Sequence, residues 1–101
     1  MKRVINGLMY DTEKAEKIAE NSFSAPSDFH YFCETLYRTQ AGRYFFTGEG
    51  GPMSHYAEEL GNNNVTGGSR LWAVNDAEAK EWLAKINPEK CEKIFGKFPE
   101  A

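Results

Sequence analysis

The chain has 101 residues, of which 41% are hydrophobic and 27% charged, and its formal net charge is −3. This balance is typical of one soluble globular domain and argues against a disordered or membrane protein. The acidic excess argues against a nucleic-acid-binding protein that depends on bulk positive charge. Since no apolar run approaches ~18 residues, no membrane partner is expected.

The two cysteines, Cys33 and Cys91, lie far apart and match no disulfide framework. The basic N-terminus lacks the long apolar segment of a signal peptide. We therefore expect reduced thiols in a cytoplasmic protein.

The N-terminal part predicts a strand followed by a helix. Apolar residues between positions 3 and 10 predict the strand, with Gly7 as a bulge or turn. The helix is expected over 12–21, with Asp11 or Thr12 as its cap. Its narrow apolar stripe has the i, i+3, i+4 spacing and consists of Ala15, Ile18 and Ala19. A loop containing Ser-Ala-Pro-Ser follows.

Residues 29–51 are dense in aromatic side chains and predict a central β-hairpin. Two runs rich in aromatic and β-branched residues flank Thr39-Gln40-Ala41-Gly42, and Gly42 suits the left-handed position that closes a type I turn with a G1 bulge. The expected cross-strand pairs are Arg38 with Tyr44, Tyr37 with Phe45, Leu36 with Phe46 and Thr35 with Thr47.

The C-terminal half predicts helices and one further strand. A short helix is expected from Pro52 to Gly61, and a polar loop over 62–68. The strand Ser69–Val74 leads to a helix with Asn75 as cap and Glu78 as its capping-box partner. Asn87-Pro88 begins a last short helix that ends at Gly96. Together these elements predict one α+β domain over 1–101, a three- to four-stranded, mainly antiparallel sheet built on the hairpin with helices on one face.

Aromatic residues on both faces of the hairpin make one face a candidate partner-binding surface. We expect the face of Tyr31, Tyr37 and Phe45 to be partly open, or closed by a second copy of the chain. The free backbone edge of the hairpin could also accept an added strand. Arg38 and Arg43 at the hairpin tip complete the candidate surface and could alternatively clamp a nucleic acid.

The glycine-rich segment around Gly48, Gly50 and Gly51 is a candidate anion-binding loop, because backbone N–H groups before a helix can bind anions. It lacks the Lys and Ser/Thr of a phosphate-binding loop, and Glu49 would repel phosphate. A tight strand-to-helix corner is the favoured interpretation.

Signals for catalysis and metal binding are weak. His30-x-x-Cys33 has metal-like spacing, but on a strand the two side chains would point to opposite faces. Cys33 with His30 or His55 as a nucleophile and base is supported by no motif. We expect no catalytic residue, metal or cofactor.

Three parts of the chain carry a resemblance: residues 10–15, residues 37–39 with 42–51, and residues 77–82 with 94–96. They resemble small uncharacterised proteins carried by mobile elements of Gram-positive gut bacteria. The resemblance covers most of the chain and implies a bacterial or phage setting and no catalytic residues. We therefore expect a non-enzymatic domain that binds a host or element-encoded protein, including defence systems. A nucleic-acid-binding accessory factor and a small enzyme are the alternatives.

Overall fold

A computed structural model describes residues 1–61 and 64–101 of the chain. Its elements are β1 (Lys2–Ile5), β2 (Leu8–Asp11), β3 (Glu16–Phe23), β4 (Phe32–Arg38), β5 (Tyr44–Gly50), β6 (Glu58–Gly61), β7 (Asn64–Thr66), β8 (Gly68–Val74), α1 (Asp76–Ile86) and α2 (Pro88–Phe95). The main sheet has four antiparallel strands in the order β3-β4-β5-β8, and β1-β2 and β6-β7 form two-stranded ladders. The predicted α+β class is confirmed.

Strands β4 and β5 lie in the middle of the main sheet. The backbone N–H of Thr39 donates to the carbonyl of Arg43 at 2.7 Å, and Gly42 has a φ of +86°. Arg38 is thereby opposite Tyr44, and the pairs continue along both strands in the register expected from the turn. Since β3 and β8 flank this pair, neither strand has a free edge, and the expectation of an added strand on the hairpin is wrong.

Both C-terminal helices begin with side-chain caps. The backbone N–H of Glu78 donates to the side chain of Asn75 at 2.8 Å, and the Glu78 side chain accepts from the backbone of Asn75. In α2 the Asn87 side chain accepts from the backbone N–H of Lys90. The helices pack on one face of the sheet, around a buried core of Ile18, Leu36, Tyr44, Phe46, Ala79, Leu83 and Cys91.

The opposite face of the sheet is covered in part by the hairpin β1–β2. Its two-residue turn places Asn6 and Gly7 at positive φ, so a turn forms at Gly7 as expected, and the segment predicted as one strand over 3–10 is two strands. The Arg3 guanidinium donates to the carbonyl of Leu71 in β8 at 2.7 Å. A second buried cluster forms beneath the hairpin and consists of Tyr10, Phe45 and Leu71.

The helix predicted over 12–21 is wrong, because this segment contains most of β3. Strand β3 pairs with β4 along its length, and a bulge between Lys17 and Ala19 interrupts the alternation of its side chains. Ile18 and Ala19 therefore both pack into the helix-side core, which reproduces a helix-like spacing within a strand.

The helix predicted from Pro52 to Gly61 is also wrong. Residues 52–57 form turns, including bonds from Ser54 N to Gly51 O and from Ala57 N to Ser54 O, both 3.1 Å, and Glu58–Gly61 form β6. Of the loop predicted over 62–68, residues 62 and 63 lie outside the described residues, and Asn64–Thr66 form β7.

Candidate functional site

Phe45 is fully buried, so the prediction that it lies on an open face is wrong. The ring of Tyr10 meets it edge-on at 5.4 Å, and Tyr37 stacks on it at 5.1 Å. The N-terminal hairpin covers this part of the face. The turn at Gly7 was expected, but where the hairpin docks depends on distant contacts such as that of Arg3 with Leu71.

Tyr37 lies in β4, Tyr31 immediately precedes that strand, and both side chains are partly exposed. The Tyr31 hydroxyl donates to a carboxylate oxygen of Glu49 at 3.4 Å. Between the two tyrosines lies Cys33. Burial, followed by the nearby Glu20 carboxylate, raises the pKa of the Cys33 thiol, so that the thiol stays protonated near neutral pH.

Both histidines contact carboxylates. The Nδ1 atom of His30 lies 3.3 Å from Asp28 Oδ1, and the Nε2 atom of His55 lies 3.5 Å from Glu34 Oε2. Among the described residues, no group of three His, Cys, Asp or Glu side chains converges on one point that could hold a metal ion.

The glycines of the candidate anion loop allow other parts of the chain to pack closely against the backbone. Gly48 and Gly50 lie within β5, and the N–H of Gly51 donates to the carbonyl of Tyr31 at 2.7 Å. A Cβ atom on Gly51 would lie 2.6 Å from the carbonyl oxygen of Phe29. The expected helix after this loop is absent, so the arrangement on which anion binding was predicted does not form there.

Glu34, Tyr56 and Arg70 form a polar row across the helix side of the sheet, which the sequence did not predict. In the register, Gly48 lies between Glu34 on β4 and Arg70 on β8. The ring of Tyr56 covers Gly48, and its hydroxyl donates to the Glu34 carboxylate. The Arg70 guanidinium lies 5.3 Å above the Tyr56 ring. The pKa of Tyr56 is raised mainly by burial and next by this hydrogen bond to Glu34. The phenol therefore stays protonated and remains a donor.

This row fastens segment 51–57 to the sheet. A glycine inside a strand often marks a close approach by another part of the chain, and Gly48 is the one sequence signal that could have located the row.

Strand β2 and the turn between β4 and β5 enclose a cleft of about 260 Å³, here called the tip groove. Its main lining residues are Leu8, Met9, Tyr10, Lys14, Ala41 and Arg43. Of the two arginines predicted at the hairpin tip, Arg43 lines the groove. Arg38 forms an ion pair with Glu16 at 2.8 Å and does not line it.

The tip groove continues onto an exposed apolar surface of the N-terminal hairpin. Val4 and Met9 are cross-strand partners and are 60% and 55% exposed, and Leu8 is 39% exposed. The carboxylate of Asp11, at the groove edge, accepts from the backbone N–H of Glu13 at 3.0 Å. The groove thus combines apolar side chains with the cationic groups of Lys14 and Arg43.

Searches against protein-family models, curated proteins and solved structures found no match to this chain. Within the described residues, neither helix has the length and apolar character needed to cross a membrane.

Proposed function

We propose that the chain is a non-enzymatic interaction domain that binds a segment of a protein partner in the tip groove. The observation that carries the proposal is the exposed cross-strand pair Val4–Met9 beside the groove. Contiguous exposed apolar side chains are typical of protein-interaction sites, whereas single ones are not.

The charges at the groove indicate the chemistry of the partner. Lys14 and Arg43 are both exposed and both line the groove, while Asp11 is engaged with its own backbone. A segment that combines apolar and acidic side chains would place its apolar groups on Leu8 and Met9. Its carboxylates would meet the two cations.

The setting of this function is proposed from the sequence resemblance. The partner would be a protein of the bacterial host or of the mobile element, including components of defence systems. A nucleic acid is the weaker alternative, because Arg38 is held by Glu16 and the lining of the groove pairs the two cations, Lys14 and Arg43, with the carboxylate of Asp11.

The proposal is tested by selecting ligands from a random peptide library displayed on phage. We expect the wild type to enrich peptides that alternate apolar and acidic residues. Met9→Ser should abolish binding of the selected peptides, because it removes exposed apolar surface at the groove. Met53→Ser is the matched control, since Met53 is 61% exposed and does not line the groove.

The charge component is tested separately with Arg43→Gln, which should weaken binding and reduce its dependence on salt. Lys97→Gln, near the C-terminus, is the control for loss of one positive charge. Selected peptides that bind Met9→Ser as well as the wild type would contradict the proposal. Light scattering that shows a dimer dissociated by Met9→Ser would instead identify a second copy of the chain as the occupant.

A further inference from the structure

A second cleft lies on the helix side of the sheet, between α1 and strands β5 and β8. Its volume is about 290 Å³. We call it the aromatic cleft, and define it by Phe46, Trp72, Glu78, Glu81, Trp82 and Lys85. The tip groove lies against the opposite face of the sheet, with the Tyr10–Phe45 cluster, so the two sites are independent.

The register of the sheet and the period of the helix bring the aromatic rings together. Trp72 is the cross-strand partner of Phe46, and their rings stack at a centroid distance of 5.4 Å. Trp82 projects from α1 and meets Phe46 edge-on at 4.9 Å with an interplanar angle of 72°. Phe46 is buried, whereas both tryptophans are partly exposed. Two indole rings therefore border the cleft, and indole faces attract cations more strongly than other side-chain rings.

The charged residues favour a cation in the same place. Glu78 and Glu81 contribute two exposed carboxylates, of which Glu78 Oε1 also accepts the capping bond from the backbone N–H of Asn75. Lys85 contributes one ammonium group, which lies 3.9 Å from Glu81 Oε1. One carboxylate therefore remains in excess among the lining residues. The Arg70 guanidinium lies 5.0 Å from the centroid of Trp72, so that ring already holds a cation, and Trp82 is the indole left for a ligand.

We propose that the aromatic cleft binds a small quaternary ammonium cation of the choline type. A primary ammonium carries three N–H donors that must be satisfied after its water is removed. The described lining offers carboxylates only from α1 and is otherwise largely aromatic and aliphatic, so it cannot surround such a donor set. A trimethylammonium group has no N–H donor, and its methyl groups pack against the rings while its charge interacts with their faces and with Glu78 and Glu81.

The chain contains two tryptophans, and both line the cleft, so tryptophan fluorescence reports on this site alone. The probes are tetramethylammonium, choline and dimethylbutanol, the neutral analogue in which carbon replaces the charged nitrogen. At constant ionic strength we expect a saturable fluorescence change with both cations. The neutral analogue should bind roughly threefold to thirtyfold more weakly, the range that corresponds to a partly desolvated cation–π contact.

Variants separate the aromatic and charged contributions. Trp82→Leu keeps an apolar side chain and removes a ring, so it should abolish binding, as detected by saturation transfer from the choline methyl protons. Glu81→Gln should weaken binding severalfold without affecting folding, because Glu81 is 75% exposed. Glu92→Gln on α2 removes an exposed carboxylate that does not line the cleft and should leave binding unchanged.

Equal affinity for choline and its neutral analogue would overturn the proposal, since the cleft would then be merely apolar. Unchanged affinity in both Trp82→Leu and Glu81→Gln would overturn it as well. A peptide carrying trimethyllysine is the final probe, and we expect it to bind no more tightly than choline. Much tighter binding of the peptide would replace the small cation with a methylated protein segment as the ligand.

Discussion

Replacing Gly48 by alanine is the sharpest test of how segment 51–57 is held on the sheet. A Cβ atom at this position would lie 2.5 Å from Cε1 of Tyr56 and closer still to the hydroxyl end of the ring. Contacts this short do not occur, so the ring must move. Because Tyr56 is buried and its hydroxyl donates to Glu34, the movement has two costs.

The first cost is the hydrogen bond to the carboxylate, which contributes about 1.5–3 kcal/mol when the acceptor is charged. The second is burial of the ring. Re-exposing roughly 50 Å² of it at ~25 cal/mol per Å² costs about 1 kcal/mol. We therefore expect Gly48→Ala to lower the free energy of unfolding by about 3 kcal/mol. For a domain of this size the melting temperature should fall by roughly 12–24 °C.

The assay is a double-mutant cycle measured by urea unfolding. In a Tyr56→Ala background the obstruction is absent, and Gly48→Ala should be neutral or stabilise the strand by about 0.5–1 kcal/mol. The two substitutions must therefore be strongly coupled. If Gly48→Ala costs the same in both backgrounds, contact with Tyr56 is not the reason for glycine at this position.

Two further predictions concern the hairpin turn and the phenol. Gly42→Val should destabilise the fold by about 1 kcal/mol or more, because φ is +86° and a β-branched residue is strained there. No atom lies near the Cβ position, so the cost comes from the backbone alone. Gly42→Asn should cost less, and equal melting temperatures for the valine variant and the wild type would contradict the turn. The raised pKa of Tyr56 means that the unfolded chain releases this proton near pH 10 while the folded chain keeps it. Its contribution to stability is therefore complete below about pH 10 and falls as the pH rises further. Denaturant midpoints of wild type and Tyr56→Phe should converge above pH 10, and parallel curves would refute this.

Elements specified by local chemistry could be predicted from the sequence. Helix α1 forms where Asn75 and Glu78 cap each other, and α2 begins at Pro88 after Asn87. Strand β8 begins at Gly68, one residue before the predicted start, and ends at Val74 as predicted. Gly42 has the positive φ that its place in the turn requires. In each case the deciding contacts lie within a few residues of one another.

Elements specified by distant contacts could not be predicted in this way. Strand β3 has poor strand alternation because of its bulge, and it is stabilised by pairing with β4. The spacing of Met53 and Tyr56 imitates a helix, but Tyr56 is placed by Gly48 and Glu34. Only the interior glycine pointed to that contact.

The candidate sites follow the same division. Arg43 was identified because it belongs to the turn, whereas Leu8 and Met9 were not, since their exposure depends on how the N-terminal hairpin docks. The aromatic cleft combines a strand pair with a helix, and its three rings come from three separate elements. Each helix and strand was recognisable there, but their relative placement was not.

The bond between Arg3 and the carbonyl of Leu71 joins residues 68 positions apart, and this separation bears on the order in which the chain folds during synthesis. The hairpins β1–β2 and β4–β5 can form as soon as they leave the ribosome, because their contacts are local. Phe45 acquires its full cover only when β8 has emerged and supplies Leu71. A nascent chain paused before Gly68 therefore has an unpaired β5 edge and a Phe45 that lacks Leu71, and exposed edges and apolar surface of this kind favour aggregation.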